Sequence, residues 1–130
     1  MPRTTADLTE HELEFLSERH LASLTTLRAD GSPHVVAIAF SYDQASGLVR
    51  IISSDDTQKV RNIERDPRAV VSQVDGPRWL TLEGTARVMR DEGSVRLAVT
   101  AFEARYRPVR ENPRRVAIEI RIQRVVGRQR

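Results

Sequence analysis

The chain has 130 residues, no cysteine, 39% apolar side chains and 30% charged ones. This length suits one domain over residues 1–130, and the apolar fraction is too high for a disordered chain. The lack of cysteine excludes disulfides, thiolate metal sites and cysteine nucleophiles. The N-terminal residues lack the apolar stretch of a signal peptide, and no run of about 18 apolar residues follows, so we expect a small cytoplasmic domain without a membrane partner.

Positive charge is concentrated near the C-terminus. The formal net charge is +3, and residues 105–130 carry nine arginines against only Glu111 and Glu119. Arginine makes two-pronged contacts with carboxylates and phosphates, so a basic surface here would suit an anionic ligand. The same excess can equally reflect the coding composition of a genome. Because charge is mixed elsewhere and only 5% of residues are aromatic, we expect no nucleic-acid partner.

The first half of the chain predicts a helix followed by three strands. Thr9 and Glu12 have the spacing of a capping box, which predicts a helix from Glu10 to about Arg19. Two-residue alternation then predicts a strand over residues 21–27, and Asp30-Gly31 is a strong turn signal. The β-branched run over 34–42 and the segment 48–54 complete an antiparallel meander.

The second half predicts a helix that begins near Thr57, strands over 68–75 and from 78 to about 90, a long helix capped by Asp91, and a last strand over 114–126. Gly84 within a strand predicts a bulge. The long helix carries an apolar stripe that we expect in the core: Val95, Val99, Phe102 and Tyr106. In the last strand, the residues expected to face inward are Val116, Ile118, Ile120 and Ile122, and those expected outward are Glu119, Arg121 and Gln123. The fold class is therefore mainly β with flanking helices, with six antiparallel strands in a small closed barrel.

The sequence carries no motif of enzyme chemistry that stands by itself. Neither nucleotide-binding glycine fingerprint is present, and His11, His20 and His34 do not have metal-ligand spacing. We therefore predict no metal site and identify no catalytic acid, base or nucleophile. If the chain is an enzyme, a bound cofactor supplies its chemistry.

One segment has the composition of an anion site. Ser53 and Ser54 end a strand, and Gln58 and Lys59 lie in the first turn of the following helix. Hydroxyls, free backbone N–H groups and one ammonium would suit a phosphate there. The alternative is an ordinary junction between a strand and a helix, with a solvated lysine.

Longer motifs resemble a known family. The pattern S-S-x-x-x-x-K at 53–59, the strand R-W-L-x-L-E-G at 78–84 and the stretches 15–36, 72–84 and 105–120 resemble the split-barrel flavin and deazaflavin oxidoreductases. This family includes the FMN-dependent pyridoxamine 5'-phosphate oxidases. The likeness is strongest to its actinobacterial branch, which contains F420-dependent biliverdin reductases.

The resemblance implies a homodimer of FMN-binding split barrels with two cofactor sites at the interface. It implies that strand residues border the ring: Pro33, His34, Val35, Val36 and Ala37. It assigns the phosphate and ribityl chain to Arg50, Ser53, Ser54, Gln58 and Lys59. It implies that the partner subunit contributes Gln73, Arg78 and Trp79.

The resemblance also implies an activity, the transfer of a hydride from reduced coenzyme F420 to a small organic acceptor such as biliverdin. The oxidases carry a cationic R-x-x-L-L-K stretch where this chain reads HVVAIAF, which argues against a true pyridoxamine 5'-phosphate oxidase. Two alternatives remain, an FMN-binding oxidoreductase and a non-catalytic F420 or flavin carrier. Arg114 and Arg115 either contact an anionic tail or substrate or are solvated charges at a strand edge.

Overall fold

The computed structural model describes residues 2–128, which form three α-helices and seven strands after a short 3-10 helix at Thr5–Asp7. In chain order the elements are α1 (Glu10–Ser17), β1 (Ala22–Leu27), β2 (Pro33–Ile38), β3 (Ser41–Asp43), β4 (Leu48–Ser54), α2 (Gln58–Arg65), β5 (Arg68–Asp75), β6 (Arg78–Met89), α3 (Glu92–Arg105) and β7 (Arg115–Arg128). The expectation of a mainly β fold with flanking helices is confirmed.

All seven strands belong to one antiparallel sheet, in the order β2-β1-β5-β6-β7-β4-β3. β2 and β3 are the outermost strands at opposite ends of this order, yet only Ala39 and Phe40 separate them along the chain. Three steps between neighbouring Cα atoms span at most about 11 Å. The sheet must therefore curl until its two edges meet, which makes a split barrel. The closure that the strand pattern predicts is incomplete, because no ladder joins β2 to β3 within the described part of the chain, and the barrel is split as the resemblance implies.

The prediction of six strands is also wrong, because the expected strand over 34–42 breaks at Phe40. The Phe40 peptide N–H donates to the hydroxyl of Tyr106 at 3.3 Å, and the Phe40 carbonyl accepts from Arg105 and from Tyr106. These bonds to the end of α3 replace the ladder bonds that a continuous strand would make. The chain therefore leaves β2 and enters β3 as a separate strand.

The hydrophobic core fills the inside of the curled sheet, where Leu24, Val71, Leu82 and Ile118 are fully buried. β7 does not follow the strict alternation expected of it, because Ala117 and Glu119 are buried as well as the inward-facing isoleucines. This part of β7 lies in the middle of the sheet between β6 and β4, and α3 packs against β7 and β4. Glu119 accepts from the Arg87 guanidinium at 2.9 and 3.1 Å, so its burial has a partner.

Local signals set the ends of the helices and one strand irregularity, as predicted. Thr9 and Glu12 form the capping box, with both bonds at 3.1 Å, and Asp91 caps α3 by accepting from the Ser94 N–H. The register of β6 against β7 shifts after Glu83, where the bulge was expected. A Cβ at Gly84 would lie 2.0 Å from a backbone oxygen of β7, so only glycine fits there.

The apolar stripe of α3 is not in the core, which corrects that expectation. Val95, Val99, Phe102 and Tyr106 are half-buried, and the buried residue of this helix is Ala98. The reason is that α3 lies against β3, β4 and β7 on the outside of the sheet. Among the described residues, no helix combines the length and apolar character needed to cross a membrane.

Candidate cofactor site

The junction between β4 and α2 has an open helix start. Thr57 is the N-cap residue, but its side chain makes no capping bond to the first turn. Its hydroxyl instead donates to the Ser54 carbonyl at 3.1 Å and lies 3.0 Å from the Ser53 hydroxyl. The first backbone N–H groups of α2 therefore keep their hydrogen-bonding capacity at the positive end of the helix dipole. Such an end is suited to an anion.

Lys59 lies in this first turn and is half-buried. Burial lowers the pKa of its ammonium, and no neighbouring charge opposes that effect. Within residues 2–128 no carboxylate forms a salt bridge with Lys59, whereas twelve salt-bridge contacts join other side chains. The ammonium nitrogen is not among the buried polar atoms that lack a partner in the described residues, so it is accessible to an anion from solvent. The residues at this junction, which we call the cradle (Ser53, Ser54, Thr57 and Lys59), thus fit a phosphate.

Gln58, which the resemblance assigns to the phosphate, and Ser54 of the cradle already have partners within the chain. The Gln58 side-chain amide donates to Asn62 Oδ1 at 2.7 Å and accepts from Arg61 at 2.9 Å, which leaves the backbone N–H of Gln58 for a ligand. The Ser54 hydroxyl accepts from the Asn112 amide at 2.8 Å. Asn112 was not identified from sequence, although the Asn-Pro pair at 112–113 is a turn signal that could have marked a loop returning to the cradle.

Arg50 is not brought together with Ser53. Side chains alternate along β4, so residues 50 and 53 face opposite sides of the sheet. Arg50 Nη1 donates to Asp43 Oδ2 at 2.8 Å, and this bond holds the pKa of the Asp43 carboxyl below its usual range. The two residues are three positions apart in a predicted strand, so the sequence alone could have placed them on opposite faces of the sheet. Arg114, one of the candidate tail contacts, pairs with Asp55 at 2.8 Å.

β2 supplies an edge strand beside an exposed face. Pro33, Val35 and Ala37 are exposed, whereas His34 and Val36 are half-buried on the other face. The Nδ1 atom of His34 is buried and has no hydrogen-bond partner among residues 2–128. Because β2 ends the sheet, its outer N–H and C=O groups are not paired within the sheet. They can bond the polar edge of a flat ring.

Gln73 is committed to its own subunit. It is buried, its amide donates to the Phe15 carbonyl at 2.9 Å, and its oxygen accepts from Arg105 at 2.6 Å. The resemblance implies that Gln73 contributes to the cofactor site of the partner subunit. Because its side chain is buried and fully bonded, it could do so only by positioning neighbouring residues.

Arg78 lies in a charged cluster with Glu18, His20 and Asp75. Both of its terminal nitrogens donate to Glu18 at 2.9 Å, and this lowers the pKa of that carboxyl to about 2. Glu18, His20 and Asp75 bring three atoms of the kinds that bind metal ions close together, but Arg78 is bonded to Asp75 as well as to Glu18. An arginine bonded to both carboxylates disfavours a cation in the same place.

Trp79 belongs to an exposed apolar face on the outside of the sheet, which we call the flat face. It consists of Leu21, Val35, Val74, Trp79 and Val126. Trp79 lies directly opposite Val74, which is 61% exposed. Exposed apolar groups clustered in this way usually mark an interface.

Comparison with known proteins defines the family. The family described as Pyridoxamine 5'-phosphate oxidase matches residues 8–129 of this chain, and the chain belongs to it. This confirms the resemblance to the split-barrel flavin and deazaflavin oxidoreductases.

Individual proteins similar to this chain include several reductases. A Mycobacterium tuberculosis protein named F420H(2)-dependent biliverdin reductase is 54% identical over 98% of this chain and 93% of its own length. A Streptomyces rimosus reductase named for 5a,11a-dehydrotetracycline and 5a,11a-dehydrooxytetracycline is 28% identical over 83% of this chain and 80% of its own. A solved structure named F420 Reductase has a TM-score of 0.72 at 25% identity and covers 87% of this chain and 94% of that one.

Proposed function

We propose that this chain is an F420H2-dependent reductase that transfers a hydride to a small organic acceptor. The extensive identity to a reductase named for F420H2 supports the proposal. The structural observation that carries it is the half-buried Lys59 ammonium, which has no carboxylate partner among residues 2–128, beside the uncapped start of α2. The phosphate of F420 would supply the missing anion.

The residues of the chain bind and orient, while the reduced deazaflavin supplies the hydride when bound. Lys59 and the Ser53 hydroxyl would hold the phosphate together with the first N–H groups of α2. The free edge of β2 would bind the polar side of the ring, and the exposed side chains of Val35 and Ala37 would border it. Fixing both ends of the cofactor restricts where an acceptor can approach it, which is the main contribution a protein makes to hydride transfer.

The assembly is a homodimer in which the flat face is covered by a second copy. Val74 is 61% exposed, a large apolar exposure for a β-branched residue in the middle of a sheet. In such a dimer, Trp79 and Arg78 of one subunit lie near the cofactor held by the other. Gln73 acts there through Arg105 and Phe15. A cytoplasmic location stays a prediction.

Titration of the full-length chain with F420 and, in parallel, with FMN tests the cofactor. Ring fluorescence should report F420 binding in the micromolar range or tighter and weak FMN binding. The reverse preference would make the chain an FMN-binding oxidoreductase, which the family name keeps as the second candidate.

Turnover then separates an enzyme from a carrier. Oxidation of F420H2, followed by its absorbance, should accelerate when biliverdin is added, since the M. tuberculosis relative is named for that acceptor. A dehydrotetracycline assayed beside it tests the acceptor named for the S. rimosus relative. Tight F420 binding without turnover of either acceptor would favour a carrier.

A further inference from the structure

A cavity of about 820 Å³ lies between α3 and the hairpin of β3 and β4. Its helix side is lined by Leu97, Ala101 and Ala104, and Tyr42 and Arg50 lie on its sheet side. We call this the α3 groove. Its volume falls within the range of roughly 300–1,000 Å³ that is usual for sites of small organic ligands.

The helix side of the α3 groove is apolar and open. Residues 97, 101 and 104 are spaced four and three apart, so they share one face of α3. Leu97 is 57% exposed, which is unusual for leucine on a helix whose opposite face is packed against a sheet. This face can cover the apolar body of a ligand without any rearrangement of the core.

The sheet side presents an arginine that is not fully satisfied. The Arg50 side chain is only 11% exposed, and Asp43 binds it through Nη1. Its Nε is buried and has no acceptor among residues 2–128. A buried donor without an acceptor is unfavourable, and the Nε edge of a guanidinium is one that binds carboxylates in two-pronged fashion.

The remaining charges around the α3 groove already have partners. Asp43 is held by Arg50, and Asp91 accepts from the Ser94 N–H as the cap of α3. Arg96 donates to Glu92 at 2.7 Å. The unmet hydrogen-bonding capacity in this region therefore belongs to Arg50, and it calls for an acceptor.

We propose that the α3 groove is a second ligand site, which binds an amphipathic organic carboxylate. The apolar body lies along Leu97, Ala101 and Ala104, and the carboxylate binds the Arg50 guanidinium once that side chain turns its unpartnered Nε edge toward the α3 groove. The site is distinct from the cradle, because none of the four cradle residues lines the α3 groove. The proposal does not depend on the identity of the cofactor.

Calorimetric titration of the full-length chain with phenylbutyrate tests the proposal, with phenylbutanamide as the uncharged analogue. The carboxylate should bind about tenfold more tightly than the amide, since it alone makes a charge-assisted bond to Arg50. Arg50→Gln should remove this preference, because glutamine keeps a polar side chain but carries no charge to pair with the carboxylate. Equal binding of acid and amide by the unmodified chain would overturn the proposal.

Substitutions at Leu97 provide a test that does not risk the fold, because the residue is exposed. Leu97→Trp fills the α3 groove and should weaken phenylbutyrate binding by about tenfold or more, whereas Leu97→Ala should keep the preference for the acid. Saturating F420 should leave both results unchanged. Competition by F420, or unaltered binding by Leu97→Trp, would refute a separate site. Conversion of a dimer to a monomer by Leu97→Trp would also refute it and assign the groove to contact between two copies.

Discussion

Lys59 and Arg105 are both half-buried cations without a carboxylate partner among residues 2–128, and burial lowers the pKa of each. Their surroundings differ. Arg105 donates to the carbonyls of Glu18 and Phe40 and to the Gln73 amide oxygen, and it lies 4.7 Å above the Phe40 ring. Lys59 has no such acceptors in the described part of the chain. The contrast shows that Arg105 is satisfied by the fold, whereas the Lys59 ammonium is left available for the ligand proposed above.

The largest expected effect is on stability, at Arg105. Arg105→Met keeps the apolar stem but removes the donor that Arg105 supplies to the Glu18 carbonyl and the Gln73 amide oxygen, and leaves the Phe40 carbonyl with Tyr106 alone. We expect the free energy of unfolding to fall by about 2–4 kcal/mol, because each unmet buried acceptor costs about 1–3 kcal/mol. Urea denaturation measures the loss. Arg107→Met, on an exposed neighbour, should change stability by no more than about 0.5 kcal/mol. Equal effects of the two variants would contradict the assigned role of Arg105.

Lys59→Ala should show the opposite pattern, with little change in stability and a large change in binding. Loss of a direct contact to a phosphate should weaken F420 binding by roughly 1.5–3 kcal/mol. Fluorescence titration measures the affinity, and urea denaturation should shift by less than about 0.5 kcal/mol. Arg61→Ala removes the same charge from an exposed position of the same helix and should leave the affinity nearly unchanged. If Lys59→Ala binds F420 normally, Lys59 is a solvated lysine and the cradle loses its main support.

The sequence predicted features whose causes lie close together along the chain. The capping box joins Thr9 to a residue three positions later, and the cradle lies within residues 53–59. Pattern reasoning failed where distant residues decide the outcome. The break at Phe40 is caused by Tyr106, 66 positions away. The burial of Glu119 depends on Arg87 of a neighbouring strand and on α3 above it, neither of which strand alternation can reveal.

Apolar side chains can be compared in the same way, since some are buried by their own chain and others are left exposed to solvent. Leu24 is fully buried by its own chain, whereas Val74 and Trp79 on the flat face are 61% and 36% exposed in a single copy. Trp79→Ala should weaken self-association by about 1–2 kcal/mol, as expected for an aromatic residue at the centre of an interface. Sedimentation velocity at several protein concentrations measures this. Leu97→Ala truncates an exposed apolar residue outside the flat face and should leave association unchanged. A monomeric unmodified chain would rule out the proposed dimer.

The smallest expected effect concerns Glu18, an exposed carboxyl whose charge is satisfied by Arg78 within the chain. This contact lowers the pKa of Glu18 from 4.5 to about 2. A carboxyl with a lowered pKa in the folded state stabilises the fold above its unfolded pKa, and this contribution is lost as the pH falls through the folded pKa. Glu18→Gln should therefore be less stable than the unmodified chain at neutral pH, with a difference that narrows between pH 4.5 and about 2. The difference should stay small, because exposed ion pairs are screened by water and salt. Urea midpoints across this range measure it, and Glu14→Gln on the exposed side of α1 serves as the control. A difference that does not change with pH would show that Glu18 acts through its shape rather than its charge.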